Sequence, residues 1–235
     1  SRLPGKPLLM VGGKPIVQHV YENALLSGAA EVVIATDDDR IAKVADDFGA
    51  LVAMTSHSHE SGTDRIAEAV ASRNEDDLTI IVNVQGDEPQ LPAAVIKQVA
   101  NTLEANSHVD IASVCEPILN AAEIDNPNIV KVVRTSEQRA LYFSRAAIPY
   151  AREGREVTQM DYYRHVGIYA YRVAYLRHFV EMPVTDLERI ERLEQLRALS
   201  NGANIVVADA ISECGVGVDT RADYENLVNQ WSATI

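Results

Sequence analysis

One aspartate in this chain stands where a metal-bound phosphate could be handled, and a second acid follows a later strand-like run. Asp87 closes the run Ile80-Ile-Val-Asn-Val-Gln-Gly-Asp87, followed by Glu88 and Pro89. A near-continuous Val/Ile run suits a strand covered on both faces, and open α/β sheets bind ligands beyond the carboxyl ends of their strands. Magnesium takes hard oxygen ligands, with few protein carboxylates and the rest from substrate phosphates and water, so an acid at a strand end suits it. The plainer alternative for Asp87 is a turn or helix-capping acid. The second acid, Asp219, lies in Gly215-Val-Gly-Val-Asp219-Thr220 before the last helical stretch. Read locally, Thr220 caps that helix and Asp219 is an acid at its N-terminus.

The lysine-glycine signals are partial. Gly5-Lys6-Pro7 and Gly13-Lys14-Pro15 both place Pro where a P-loop needs Ser or Thr for magnesium, which excludes a Walker-type ATPase. Arg2, Gly5 and Lys6 can still cradle phosphates, or form a turn with solvated charges. Lys14 reads as a surface residue. His59-Glu-Ser-Gly-Thr-Asp64-Arg65 combines a glycine turn, hydroxyls and an arginine at a helix start, where free N–H groups favour anions or base edges. Its plain reading is an N-cap at Ser61 or Thr63. His57 and His59 lack a third ligand for a metal, nothing forms a Ser/His/Asp triad, and Cys115 has no activating partner in the sequence. Arg145 and His165, beside apolar runs, could bind a carboxylate or sugar hydroxyls. Taken singly, His165 reads better as a hydrogen-bonded structural histidine, and Glu194-Gln195 as a solvated helix face.

The elements that must position these residues alternate. Strand patterns cover residues 31–36, 50–54, 79–84, 109–114, 130–134, 140–143, 166–171 and 205–208. Helical patterns cover 16–27, with Pro15 suited to the first helical position, and 39–48, 63–73, 92–105, 186–199 and 221–231. Thr185-Asp-Leu-Glu188 has the form of a capping box, and Gly202 should end that helix. Alternation over the first 115 residues or so predicts an α/β fold with a doubly wound, mostly parallel sheet. The pattern changes to an antiparallel insertion at 128–172, between a nucleotide-binding part (1–127) and a C-terminal part (173–235) that completes the same domain. Gly154–Met160 reads as a mobile loop.

The bulk composition narrows the function classes. Hydrophobic residues make up 47% and charged residues 23%, as in a globular protein, and 235 residues can bury a core without staples. A net charge of -13 argues against a nucleic-acid or membrane-surface binder, which needs a basic face. Two distant cysteines fit a reduced cytoplasmic compartment, and no apolar run spans a bilayer.

Seven segments then stand in a known order: Ser1-Arg-Leu-Pro-Gly-Lys-Pro-Leu8, His59-Glu-Ser-Gly-Thr-Asp-Arg65, Val82-Asn-Val-Gln-Gly-Asp-Glu-Pro89, Leu141-Tyr-Phe-Ser-Arg-Ala-Ala-Ile-Pro149, Arg164-His-Val-Gly-Ile-Tyr169, Leu193-Glu-Gln-Leu-Arg197 and Gly217-Val-Asp-Thr220. In this the chain resembles the CMP-Kdo synthetases, the 3-deoxy-manno-octulosonate (Kdo) cytidylyltransferases, over nearly its whole length. The resemblance implies that CTP and Kdo, an acidic sugar of bacterial lipopolysaccharide, give CMP-Kdo and diphosphate, the anomeric hydroxyl attacking the α-phosphate in line. Positioning and charge neutralisation should dominate such chemistry, with magnesium polarising the phosphate. Carried over by residue, the resemblance puts Arg2 and Lys6 at the triphosphate, Ser61 and Arg65 near the nucleotide, and Gln85 at the strand end. It makes Asp87 and Asp219 the metal ligands, against the local reading of Asp219, and assigns Arg145, His165, Tyr169, Glu194 and Gln195, with Gln85, to the sugar. It implies a nucleotide-diphospho-sugar transferase fold, a small dimerisation insertion, a cytoplasmic homodimer, and no nucleic-acid or membrane partner. Family members open with a further strand and an Ala-Arg pair before the segment matching Ser1, so a preceding segment is expected. A sialic-acid cytidylyltransferase is the nearest alternative, and a non-catalytic nucleotide-sensing module the alternative from another class.

Overall fold

The computed structural model describes residues 3–59, 61–152 and 162–233. A 3-10 turn at Lys6–Leu8 leads into a two-stranded antiparallel ribbon, β1 (Met10–Val11) and β2 (Lys14–Pro15). There follow α1 (Ile16–Leu26), β3 (Val33–Thr36), α2 (Asp39–Asp47), β4 (Leu51–Met54), α3 (Gly62–Arg73), β5 (Ile80–Asn83), α4 (Ala93–Glu104) and β6 (Ile111–Pro117). The chain continues through α5 (Ala121–Ile124), β7 (Lys131–Arg134), β8 (Ala140–Ser144), β9 (Tyr163–Arg172), α6 (Val173–Glu181), α7 (Asp186–Glu191), α8 (Gln195–Ser200), β10 (Ile205–Asp209) and α9 (Arg221–Ala233). Two compact units result: Ser1–Glu75 with Asn83–Lys97 and Ser212–Ile235, and Asp76–Val82 with Gln98–Ile211. Among the described residues no helix is long and apolar enough to cross a membrane.

In the first unit β3 and β4 pair in parallel, Val33 opposite Leu51 through Thr36 opposite Met54, with α2 as the crossover. Asp38 starts α2 by accepting from the Arg40 amide, and Ser61 starts α3 by accepting from Asp64 N at 3.1 Å. A core of Val11, Ile16, Val20, Val218 and Leu227, with Leu9, Val84 and Trp231 packed on it, joins segments from both ends of the sequence. Burying these apolar groups together is what draws the ribbon, the end of β5, Val218 and α9 into one neighbourhood. Gly12 (φ +55) permits the closeness, because a Cβ there would lie 2.7 Å from the Trp231 ring.

The second unit holds a six-stranded mixed sheet in the order β10-β6-β9-β7-β8, with β5 also pairing β9. β10 and β6 run parallel, while β6–β9, β7–β9 and β7–β8 are antiparallel. The parallel and antiparallel parts together give the mixed α/β architecture. Strand β6 is buried along its length except at Pro117, as its apolar run requires. The turn between β7 and β8 reaches back to β10: Arg139 bridges Val206, and Val207 N donates to Gln138 O at 2.8 Å.

Two expectations need correction. The helix expected over 186–199 is two helices, because Arg192 takes a left-handed conformation (φ 54) between α7 and α8. The Thr185–Glu188 capping box does form, at the head of α7. Pro15 is not the first helical residue; it ends β2 and precedes α1. The loop expected at Gly154–Met160 lies outside the described residues.

Candidate active site

The acids of the first unit converge on a lysine. The turn at Gly5 (φ +70) sends Lys6 inward, where its side chain is 18% exposed and ion-paired with both Asp87 and Asp219. The bond to Asp219 Oδ1 measures 2.9 Å. Burial lowers the affinity of Lys6 for its proton, but hydrogen bonds to the two carboxylates outweigh it and raise the pKa above the ordinary value. Main-chain bonds fix the acids: Glu88 N donates to Gln85 O at 3.2 Å in the turn after β5, and Val218 N donates to Asp87 O at 2.9 Å. Asp87 is 20% exposed and Asp219 is 75% exposed.

Both readings of the Asp219 segment hold in part. Thr220 does cap α9, exchanging hydrogen bonds with Asp223, and the Asp219 carboxylate stays directed at Lys6. Gln85, half-buried, donates to Asn83 Oδ1 at 3.4 Å. Arg2 lies outside the described residues.

Beside these acids the same unit carries a second polar cluster at the carboxyl ends of β3 and β4. Arg65 Nη1 donates to Thr55 Oγ1 at 2.6 Å, and Nη2 pairs with Asp37 Oδ2 at 3.1 Å; His57 lies 3.4 Å from the same oxygen. Burial opposes ionisation of Asp37, yet a hydrogen bond to its own backbone and the Arg65 guanidinium hold its carboxyl below the usual range. Asp37 and Thr55 were missed as site candidates, although the acid run Asp37–Asp39 at a strand end carried the signal. His59 pairs with Glu68, and Lys14 pairs with Glu22 at 2.8 Å as a surface residue.

In the second unit His165 and Tyr169 lie on β9 with ring centroids 5.3 Å apart, and Phe143 meets His165 edge-on at 4.9 Å. His165 Nε2 contacts Ser113 Oγ at 2.8 Å, and burial pushes the imidazole pKa down to about 3. Arg145 follows β8 and is held by main chain: Nε donates to Glu191 O at 2.7 Å, Nη1 to Pro127 O at 2.8 Å and Nη2 to Arg192 O at 3.3 Å. The break after α7 frees the Glu191 and Arg192 carbonyls, which a continuous helix would have used itself. Glu191 Oε2 also accepts from Arg145 N at 2.9 Å. The same break places Glu194 and Gln195: Glu194 Oε1 lies 3.9 Å from Arg197, and Gln195 is buried at the start of α8, not on a solvated face. Buried Lys131 donates to three carbonyls, those of Asn126, Ile129 and Arg145, and so anchors the chain at Arg145.

A family model described as Cytidylyltransferase matches residues 1–205. The chain belongs to the cytidylyltransferase family. Among its relatives, the 3-deoxy-manno-octulosonate cytidylyltransferase of Nitrosococcus oceani is 53% identical over 234 residues, covering 97% of this chain and 90% of the relative. That of Coxiella burnetii is 49% identical, covering 97% and 93%. A solved structure described as CMP:2-keto-3-deoxy-manno-octonic acid synthetase complexed with CTP superposes with a TM-score of 0.91 at 42% identity, covering 100% of this chain and 95% of that one. A cytidylyltransferase from Leptospira borgpetersenii, 19% identical with a TM-score of 0.62 and covering 100% and 83%, shares the fold. The mixed α/β architecture is thus that of a cytidylyltransferase. Among the described residues no group of three or more His, Cys, Asp or Glu side chains is placed to hold a metal ion.

Proposed function

We propose that this cytidylyltransferase joins the CMP part of CTP to Kdo, forming CMP-Kdo and diphosphate, with magnesium as cofactor. One observation carries the reading: Asp87 and Asp219 already share a single cation, the Lys6 ammonium. Two carboxylates aimed at one positive charge fit magnesium, whose remaining ligands are typically phosphate oxygens and water. When bound by Asp87 and Asp219, magnesium supplies charge neutralisation to the phosphates of the nucleotide.

The chain's own residues perform the rest by placement. Lys6, beside the acids, meets the negative charge of the triphosphate and steadies the departing diphosphate. Arg65 and Ser61, at the head of α3, lie with the strand-end cluster that serves the nucleotide. In the second unit His165 and Tyr169 give one set of groups for the sugar, and Glu194 and Gln195 another. Arg145 holds the Glu191–Arg192 break that carries Glu194 and Gln195. The names of the similar proteins and the motif order support Kdo as the acceptor. The resemblance also supports a cytoplasmic homodimer acting in lipopolysaccharide synthesis.

The test is pyrophosphate release from CTP with magnesium and either Kdo or N-acetylneuraminate. Release with Kdo alone is expected; exclusive use of neuraminate rejects the assignment.

A further inference from the structure

Ser113 stands in the middle of β6, fully buried, with its hydroxyl oxygen near three groups. His165 Nε2 and the Ile168 carbonyl each lie 2.8 Å away, and the Val166 carbonyl 3.3 Å away. A serine hydroxyl carries one proton and two lone pairs, and carbonyls only accept. If that proton pointed at His165, two carbonyl oxygens would face hydroxyl lone pairs in a buried place, an arrangement of mutually repelling acceptors. The proton therefore goes to Ile168 O, and His165 Nε2 must carry its own hydrogen and donate to Ser113. Burial keeps the ring neutral, so Nδ1 holds a bare lone pair. Among the described residues Nδ1 has no hydrogen-bond partner, and the side chain is partly exposed.

We infer that Ser113 is a positioning residue: it fixes His165 as the Nε2–H tautomer and so presents Nδ1 as an acceptor for a substrate hydroxyl. The inference rests on the reading that His165 serves the sugar, and it deepens that reading. A lone pair accepts from a hydroxyl and repels a carboxylate, so His165 reads a hydroxyl of the acidic sugar and leaves its carboxylate to other groups. Phe143, edge-on to the ring at 4.9 Å, helps keep it in place.

Histidine-selective nitrogen NMR on the whole chain tests this, with His165→Gln assigning the resonance. At about neutral pH the expected pattern is a protonated Nε2 and an unprotonated Nδ1, unchanged as the pH falls by about two units. Ser113→Ala should shift the ring toward a mixture of tautomers. It should raise KM for Kdo roughly tenfold while kcat and KM for CTP stay within about twofold, and Ser113→Thr, which keeps the hydroxyl, should restore the pattern. A wild-type ring protonated on Nδ1, or a tautomer unmoved by Ser113→Ala, overturns the inference. Should Ser113→Ala fail to fold, the wild-type spectrum alone decides. Failure of the wild type to turn over Kdo would reject the assigned reaction instead, which keeps the two outcomes separate.

Discussion

Lys6 Nζ donates to Asp219 Oδ1 at 2.9 Å although the two residues stand 213 positions apart. The same ammonium pairs with Asp87, so an incoming divalent cation that uses both acids must displace it. Without nucleotide to receive Lys6, the displacement works against metal binding. Lys6→Met should therefore bind manganese roughly tenfold more tightly in the nucleotide-free protein, and release pyrophosphate about a hundredfold more slowly. Electron paramagnetic resonance reads the free manganese; equal or weaker binding in the variant refutes a shared cation position.

Asp87→Asn separates charge from structure. The Asp87 carbonyl accepts from Val218 N, a bond the substitution leaves in place. Pyrophosphate release should fall by about a hundredfold or more, while circular dichroism and the urea midpoint stay near wild type. Retained activity would remove Asp87 from the metal role.

Gly5, in the turn that delivers Lys6, can be compared with Gly12, in the turn between β1 and β2. Both have positive φ, but a Cβ at Gly12 meets Trp231 at 2.7 Å, whereas at Gly5 nothing lies within 4 Å. Gly5→Ala should cost about 1 kcal/mol of backbone strain, and Gly12→Ala roughly 2 kcal/mol or more from strain and overpacking combined. Urea unfolding measures both; equal losses would show that the Trp231 contact yields freely.

His165 gives a pH signature. Its folded pKa is depressed to about 3, while in the unfolded chain it returns to about 6.5. Between those values the unfolded state takes up a proton that the folded state refuses. Stability is therefore unaffected above the unfolded pKa, falls as pH drops below it, and levels off near the folded one. Compared with His165→Asn, the wild type should lose about 1.4 kcal/mol more between about pH 7.5 and pH 5.5. Parallel urea-midpoint curves for the two proteins would rule out a neutral buried ring.

The sequence was most readable where one local rule acted alone. The apolar runs marked β3 to β10 to within a few residues, Thr185 declared its cap, and of the two candidates Ser61 and Thr63 the cap of α3 is Ser61. It was least readable where backbone atoms are the partners. Arg145 looks like an anion-binding arginine, yet its guanidinium is held by the carbonyls of Glu191, Pro127 and Arg192, which leave no mark in residue type. The break at Arg192 was equally hidden, because a left-handed arginine inside an amphipathic pattern has no signature of its own. Ser113 reads as one small residue in an apolar strand; only the folded register puts it against His165.

The contact between the β7–β8 turn and β10 has a consequence for solubility. Open sheet edges recruit strands from other molecules. Here β10 spends part of its outer edge on Arg139 and Gln138, and the Arg134 guanidinium occupies the Val207 carbonyl at 2.7 Å. A turn that looks like a mere connection thus covers part of a strand edge with its own main chain, and a substitution that removes the Arg134 guanidinium should show first in the yield of dispersed protein, with turnover unchanged.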